Sequence, residues 1–215
     1  KSKITYFQEL GINMLHIMPM MKCPDGASDG GYAISDFKVI DKRYGSLKDL
    51  QTLSAHLRKR DILLTLDVVV NHTSDQHPWF QAARKAPAGS AKREMYVWSD
   101  SDKKFAETRI IFTDTESSNW AWDPVAGAYY WHRFYSHQPD LNYENEQVRT
   151  EMRKIIDFWF DAGVDGLRLT SVREGKVAPG AQLDATSGPV KETHMVFRKT
   201  AATIAGKRRK GISSS

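Results

Sequence analysis

The sequence of 215 residues contains little cysteine and no long apolar run. Its single cysteine, Cys23, excludes a disulfide within the chain and predicts a reducing compartment, for which we expect the cytoplasm. No apolar stretch approaches the roughly 20 residues that a membrane-spanning helix needs, so we expect no membrane partner. The first residues also lack the charged, apolar and small-residue segments of a secretory signal.

Outside one terminal segment, the chain also has little excess charge. Its formal net charge is +5, and Lys207, Arg208, Arg209 and Lys210 supply four of those five charges, which leaves +1 for the rest. A short basic run at a terminus is usually a solvated tail. We therefore expect no nucleic-acid partner.

A buried β-strand is the clearest element of the sequence. Residues 62–70 are almost continuously apolar and β-branched, which predicts a strand covered on both faces, as in a parallel sheet flanked by helices. Asp67 is the only charged residue in the run, and taken alone it fits a structural core carboxylate better than a catalytic one. Asn71 and His72 follow at the C-terminal end of the strand, where ligands bind in parallel α/β folds.

Helical patterns alternate with strands on both sides of this run, which predicts an α/β fold. Ser46 and Asp49 have the spacing of a capping box, and Asn145 is placed as the N-cap of a later helix. A strand is expected at residues 12–19 and another at residues 164–169. Beyond Val172 the pattern weakens, and we predict a short helix over about residues 192–204, followed by a disordered end.

Residues 74–142 differ from the rest of the chain. They are rich in Trp, Tyr, Ser, Asp and Pro, have little periodicity, and are too long for a simple loop, which predicts an inserted subdomain. Their tryptophans could stack on sugar rings, although filling a small core is the better interpretation for most of them. These tryptophans are Trp79, Trp98, Trp120, Trp122 and Trp131.

Four motifs follow one another in a fixed order: SDGGYAISDF (28–37), DVVVNH (67–72), QPDLN (138–142) and GVDGLRLT (163–170). Together they resemble the α-amylase superfamily, glycoside hydrolase family 13. NHTSDQHPWFQ (71–81) and the stretch 109–145 are similar to its trehalose synthase branch, and SDGGYA is also similar to amylosucrases.

This resemblance implies a (β/α)₈ TIM barrel with a subdomain B inserted after strand three. Residues 1–73 would hold barrel strands two and three, and residues 74–142 would form subdomain B. Helix three and strand four would lie in residues 143–172, and residues 173–215 would be a divergent, partly disordered tail. Since a complete barrel takes about 250 residues, we expect the chain to be part of an enzyme domain.

The resemblance also implies roles for individual residues. Tyr32 would stack on a sugar, His72 would hydrogen-bond one of its hydroxyls, Arg168 would orient the nucleophilic carboxylate, and Asp67 would support that geometry. Without the resemblance, each is better explained by structure: Arg168 could pair with Asp67 or Asp165, His72 could be a satisfied histidine at a strand end, and Tyr32 could be a packing residue.

A calcium site is implied at Asn71 and Asp140, whose oxygen atoms suit a hard cation. No organic cofactor is expected. The chain's partner would be a small sugar, such as maltose, trehalose or another α-glucoside, together with the barrel half that this chain lacks.

Thr170 departs from the family pattern, because it stands where the family has its nucleophilic aspartate. The acid/base glutamate of the family belongs to strand five, which this chain does not contain. We therefore expect a fragment of a trehalose synthase-like retaining α-glucosyltransferase, which would interconvert maltose and trehalose but be inactive alone. The alternatives are a fragment of an α-glucosidase or amylosucrase-type enzyme, and a non-catalytic sugar-binding or scaffold protein.

Overall fold

The computed structural model describes residues 3–170 and the backbone of residues 194–197. The helices are α1 (Ile4–Glu9), α2 (Leu47–Arg58), α3 (Pro78–Ala83) and α4 (Glu146–Asp161). The strands are β1 (Met14–Ile17), β2 (Met21–Lys22), β3 (Asp36–Ile40), β4 (Leu63–Val69), β5 (Trp98–Ser99), β6 (Trp120–Asp123), β7 (Ala128–Trp131), β8 (Gly166–Thr170) and β9 (His194–Phe197).

The main sheet has the strand order β1-β4-β8-β9. Strands β1, β4 and β8 are parallel neighbours, and the chain passes through α2 between the first two and reaches the third through α4. Repeated β-α-β units of this kind are the building blocks of an α/β barrel. The predicted fold class, a partial barrel, is thereby confirmed.

Two of the helices begin at the residues that the sequence indicates. The Ser46 hydroxyl accepts a hydrogen bond from the Asp49 amide at 3.2 Å, and the Asp49 carboxylate accepts one from the Ser46 amide at 3.1 Å, which completes the capping box of α2. The Asn145 side chain accepts from the Gln147 amide at 2.8 Å at the start of α4. Both capping predictions are confirmed.

The hydrophobic core lies between the main sheet and helices α2 and α4. Leu57 of α2, Leu64 and Leu66 of β4, and Trp159 of α4 are fully buried. The Trp159 indole N–H also donates to the Phe37 carbonyl at 3.0 Å, so α4 is fixed to strand β3 as well as to the sheet.

Residues 74–142 contain α3 and a three-stranded antiparallel sheet in the order β5-β7-β6. Trp120 and Trp131 are buried in this segment, which confirms the core interpretation for them, whereas Trp122 is 53% exposed. The domain boundaries at residues 73 and 142 stay predictions.

Two features of the fold differ from the expectations. Strands β2 and β3 form an antiparallel hairpin that the sequence analysis did not predict. The helix predicted over residues 192–204 is wrong at residues 194–197, which form β9 antiparallel to β8. The edge of β8 offers unpaired backbone groups, and pairing with them outweighs a weak helical spacing. The rest of the predicted tail lies outside the described residues. None of the described helices is long and apolar enough to cross a membrane.

Candidate active site

A buried carboxylate and a guanidinium group occupy the centre of the candidate site. Asp67 and Arg168 are register partners on the parallel strands β4 and β8. The Asp67 side chain is fully buried, and its Oδ2 accepts a hydrogen bond from Arg168 Nη1 at 2.6 Å. Asp165, the alternative partner, pairs instead with Arg58 at 2.8 Å. The two strands therefore bring together two of the residues that the sequence singled out.

Tyr32 joins this pair from the first motif. Its hydroxyl donates to Asp67 Oδ2 at 3.1 Å. Burial, and then the neighbouring Asp67 carboxylate, raise the pKa of Tyr32, so the phenol keeps its proton and acts as the donor. The other Asp67 oxygen, Oδ1, is buried without a hydrogen-bond partner in the described part of the chain. Two donors thus converge on one oxygen of a carboxylate that has no access to solvent.

The loop before Tyr32 is held against the third motif. Asp29 accepts hydrogen bonds from the His137 ring and from the Gln138 amide, the latter at 2.6 Å. Gly31 has a φ of +101°, and a Cβ at this position would overlap the Pro19 carbonyl oxygen. The loop can therefore approach the segment between β1 and β2 this closely only with glycine at position 31.

We predict that Gly31→Ala destabilises the chain by at least about 2 kcal/mol, because it combines a left-handed backbone with a steric overlap. Gly30→Ala is the matched control, since Gly30 also has a positive φ of +68° but open space where the added methyl group would lie. The control should lose only about 1 kcal/mol. Urea denaturation followed by circular dichroism measures both losses, and equal losses would contradict the steric argument.

His72 lies beside Tyr32, and both of its ring nitrogens are hydrogen-bonded to other groups of the protein. Its side chain is buried, and Nε2 lies 3.2 Å from the Tyr32 carbonyl oxygen. Burial lowers the pKa of His72 to about 4, so the ring is neutral near pH 7 and Nε2 carries the proton that the carbonyl accepts. Nδ1 then accepts from the Asn71 amide at 3.3 Å. A sugar hydroxyl could engage His72 only by replacing one of these bonds, and its predicted sugar contact stays a prediction.

The structure brings Asn71 and Asp140 together as a hydrogen-bonded pair. Asn71 Nδ2 donates to Asp140 Oδ1 at 2.9 Å, and the Arg133 amide donates to the same oxygen at 3.1 Å. No group of three or more His, Cys, Asp or Glu side chains among the described residues could hold a metal. This donor set falls short of the six to eight oxygens typical of calcium. Calcium binding at Asn71 and Asp140 stays a prediction, and the chemistry proposed for this chain does not depend on it.

Thr170 lies two residues beyond Arg168 on β8, so the two side chains share a face of the strand. Thr170 is 6% exposed, and its hydroxyl donates to the Val68 carbonyl at 3.2 Å on the neighbouring strand. Its proton is thus directed at the sheet backbone. Among the described residues no general base receives that proton, so the arrangement gives the hydroxyl no activation as a nucleophile.

His16 is a neighbour of the site that the sequence analysis missed. It lies on β1, its Nδ1 is 3.1 Å from the Thr65 hydroxyl, and its Nε2 is 4.0 Å from Asp67 Oδ2. A histidine within an otherwise apolar predicted strand was the available signal. Its partner could not be read from the sequence, because the register between β1 and β4 sets that contact.

Comparisons of the sequence with known proteins identify the family of the chain. The family described as "Alpha amylase, catalytic domain" matches residues 1–202. Trehalose synthase of Pimelobacter sp. (strain R48) is 42% identical over 198 residues, which are 92% of this chain and 33% of the relative. Trehalose synthase of Thermus thermophilus is 47% identical over 172 residues, which are 80% of this chain and 17% of the relative.

Solved structures agree with the sequence comparisons. A mutant of trehalulose synthase MutB in complex with glucose superposes with a TM-score of 0.73 at 38% identity, covering 83% of this chain and 32% of that enzyme. The chain therefore spans a third or less of the length of each of these relatives.

Proposed function

Because the chain belongs to the α-amylase catalytic-domain family, we propose that it forms the sugar-binding wall of a trehalose synthase-like, retaining α-glucosyltransferase that interconverts maltose and trehalose. The observation that carries this proposal is the buried contact of Asp67 with Arg168 and Tyr32 near the C-terminal ends of parallel strands, where barrel enzymes bind their substrates. The 42% and 47% identities to two trehalose synthases support the substrate class.

In this proposal the described residues bind and orient a glucosyl ring. The Tyr32 ring offers an apolar surface to the sugar, while its hydroxyl is fixed by Asp67. Arg168 shares a face of β8 with Thr170, and its guanidinium group is held by Asp67 on the neighbouring strand. A retaining mechanism also needs two carboxyl groups about 5 Å apart, one as the nucleophile and one as the acid/base. Thr170 does not supply the first, and we propose that the chain alone binds sugar without turning it over.

A non-catalytic sugar-binding protein is the second candidate function. The observation that favours it is the Thr170 hydroxyl, which is bonded to the Val68 carbonyl and is therefore integrated into the sheet. Both candidates share the sugar contacts at Tyr32 and Arg168. They differ in whether a carboxylate at position 170 would complete an enzyme.

Tyr32→Ala should weaken the binding of maltose and glucose at least about tenfold, because it removes the ring on which the sugar packs. Tyr32→Phe keeps that ring and loses only the hydrogen bond to Asp67, so its affinity should stay much closer to that of the wild type. Tyr44→Ala is the control, since Tyr44 is 51% exposed and lies outside the site. Isothermal titration calorimetry measures all four proteins, and unchanged affinity in Tyr32→Ala would remove the sugar-binding proposal.

A further inference from the structure

A cavity lies outside the Asp67–Arg168 site. It has a volume of about 250 Å³ and is bounded by β3, the beginning of α3 and one face of α4. This volume is below the roughly 300–1,000 Å³ that is typical of sites for drug-sized ligands, so the cavity suits one small ring. Five of its lining residues give it a defined chemistry: Asp36, Phe37, His77, Trp79 and Glu151.

His77 provides an unpaired donor in the wall of this cavity. The residue is 5% exposed, and its Nδ1 accepts a hydrogen bond from the Trp79 amide at 3.0 Å. Burial lowers the pKa of His77 to about 4, so the ring is neutral near pH 7 and its proton is on Nε2. No group in the described part of the chain accepts a hydrogen bond from this N–H. A donor without a protein partner in the wall of a cavity favours a ligand that brings an acceptor.

Two carboxylates in the wall of the cavity are hydrogen-bond acceptors and favour a ligand that brings donors. Asp36 Oδ1 accepts from the Lys38 amide at 3.0 Å, and Glu151 Oε1 pairs with Lys154 at 2.7 Å. Each carboxylate has a second oxygen with no further hydrogen bond to the described residues, and such an oxygen can accept a hydrogen bond from a ligand. Lys38 also lines the cavity, which thus offers the His77 N–H and a lysine ammonium group as donors and two carboxylates as acceptors.

Aromatic rings form the apolar part of the wall. The His77 and Trp79 rings meet edge to face with their centroids 4.7 Å apart, and the Phe37 ring lies 5.8 Å from that of Trp79. Phe37 is buried, while Trp79 is only partly buried and can present its surface to a ligand. Aromatic surfaces of this kind pack well against the C–H groups on one face of a saturated ring.

We propose that this cavity binds one pyranose ring of a neutral sugar, at a site separate from the Asp67–Arg168 cluster. A hydroxyl group both donates and accepts, so one polyhydroxylated ring satisfies His77, Asp36 and Glu151 together. A cationic amine would attract the carboxylates but brings no acceptor for His77. An anion would accept from His77 and Lys38 but would leave both carboxylates without a donor and would be repelled by them. The neutral polyol is the class that meets all three requirements.

Nuclear magnetic resonance on the ¹⁵N-labelled full chain tests the proposal without any substitution. Titration with glucose, and separately with maltose, should shift the Trp79 indole signal and the His77 Nε2 signal together. Signals from Tyr32 and Arg168 report on the candidate active site in the same titration. The two sites therefore succeed or fail independently, and this proposal does not depend on the proposed function.

Charge-neutral variants provide the second arm of the test. Asp36→Asn and Glu151→Gln should each weaken the response at Trp79 and His77 several-fold, and together at least about tenfold. Asp157→Asn is the matched control, since Asp157 is exposed on α4 and lies outside the cavity lining, and it should bind like the wild type.

Three results would overturn the proposal. The first is the absence of any shift at Trp79 and His77 with both sugars in the wild-type chain. The second is unchanged affinity in the folded Asp36→Asn, Glu151→Gln double variant. The third is a response to tetramethylammonium and to neither sugar, which would make the cavity a cation site. If the double variant fails to fold, the wild-type titration still decides.

Discussion

Replacing Thr170 with aspartate should increase glucosyl transfer from maltose at least about a thousandfold in a fusion protein that supplies the distal barrel strands. The expectation rests on the proposed function, in which Tyr32 and Arg168 already bind and orient the sugar. Aspartate would add the missing nucleophile two residues beyond Arg168, on the same face of β8. The unsubstituted chain alone should show no turnover of maltose, trehalose or sucrose above a buffer control.

Thr170→Asn is the decisive control for this prediction. The Thr170 hydroxyl donates to the Val68 carbonyl, and an asparagine amide can donate to the same oxygen, whereas an ionised aspartate cannot. Asparagine is therefore the better structural replacement and should nevertheless remain inactive. Glucose release and trehalose formation are assayed for both variants in the same fusion protein, after circular dichroism has shown that both fold. Equal activity of the two would reject position 170 as the nucleophile position.

Replacing Arg168 with leucine should lower the free energy of unfolding by about 3–5 kcal/mol, because it leaves the buried Asp67 carboxylate without its cation. Asp67 has no solvent exposure, and one of its oxygens already lacks a partner in the described residues. The remaining hydrogen bond from Tyr32 cannot neutralise a full negative charge. Chemical denaturation at neutral pH measures the loss.

The reverse substitution should be less harmful. The Arg168 side chain is 33% exposed and keeps its access to water when the Asp67 charge is removed, so Asp67→Asn should cost only about 1–2 kcal/mol. Adding Asp67→Asn to Arg168→Leu should restore part of the stability, because the double variant no longer buries an unpaired charge. A double variant as unstable as the sum of the two single variants would contradict the predicted coupling.

Local patterns in the sequence were sufficient to predict the helix and strands on which the candidate site is built. The capping box at Ser46 and Asp49 fixed the start of α2, since it requires contacts only three residues apart. The apolar run of β4 also placed Asp67 correctly in a buried strand, and strand alternation put Arg168 and Thr170 on one face. These predictions succeeded because the physical cause lies within a few residues of the effect.

Contacts between distant segments could not be read in this way. The Asp29–His137 bond joins residues 108 positions apart, and the contact of His16 with the Thr65 and Asp67 side chains depends on the pairing register of β1 and β4. The strand at residues 194–197 likewise depends on the edge of β8 rather than on its own spacing. The cavity beside Trp79 is formed by residues of β3, α3 and α4, which are far apart in the sequence. No local sequence motif predicts that these three elements pack together.

The two ends of the inserted segment are fastened to each other where they leave and rejoin the barrel strands. The Leu141 amide donates to the Asn71 carbonyl at 2.9 Å, and the Asp75 amide donates to the His137 carbonyl at 2.9 Å. These two hydrogen bonds therefore hold the two ends of the inserted segment close together. Doubling the length of a flexible loop whose ends are fixed costs only about 0.6 kcal/mol. Length changes in the exposed loops of this segment, outside α3 and the sheet of β5, β6 and β7, can thus be accommodated while β4 and α4 keep their positions.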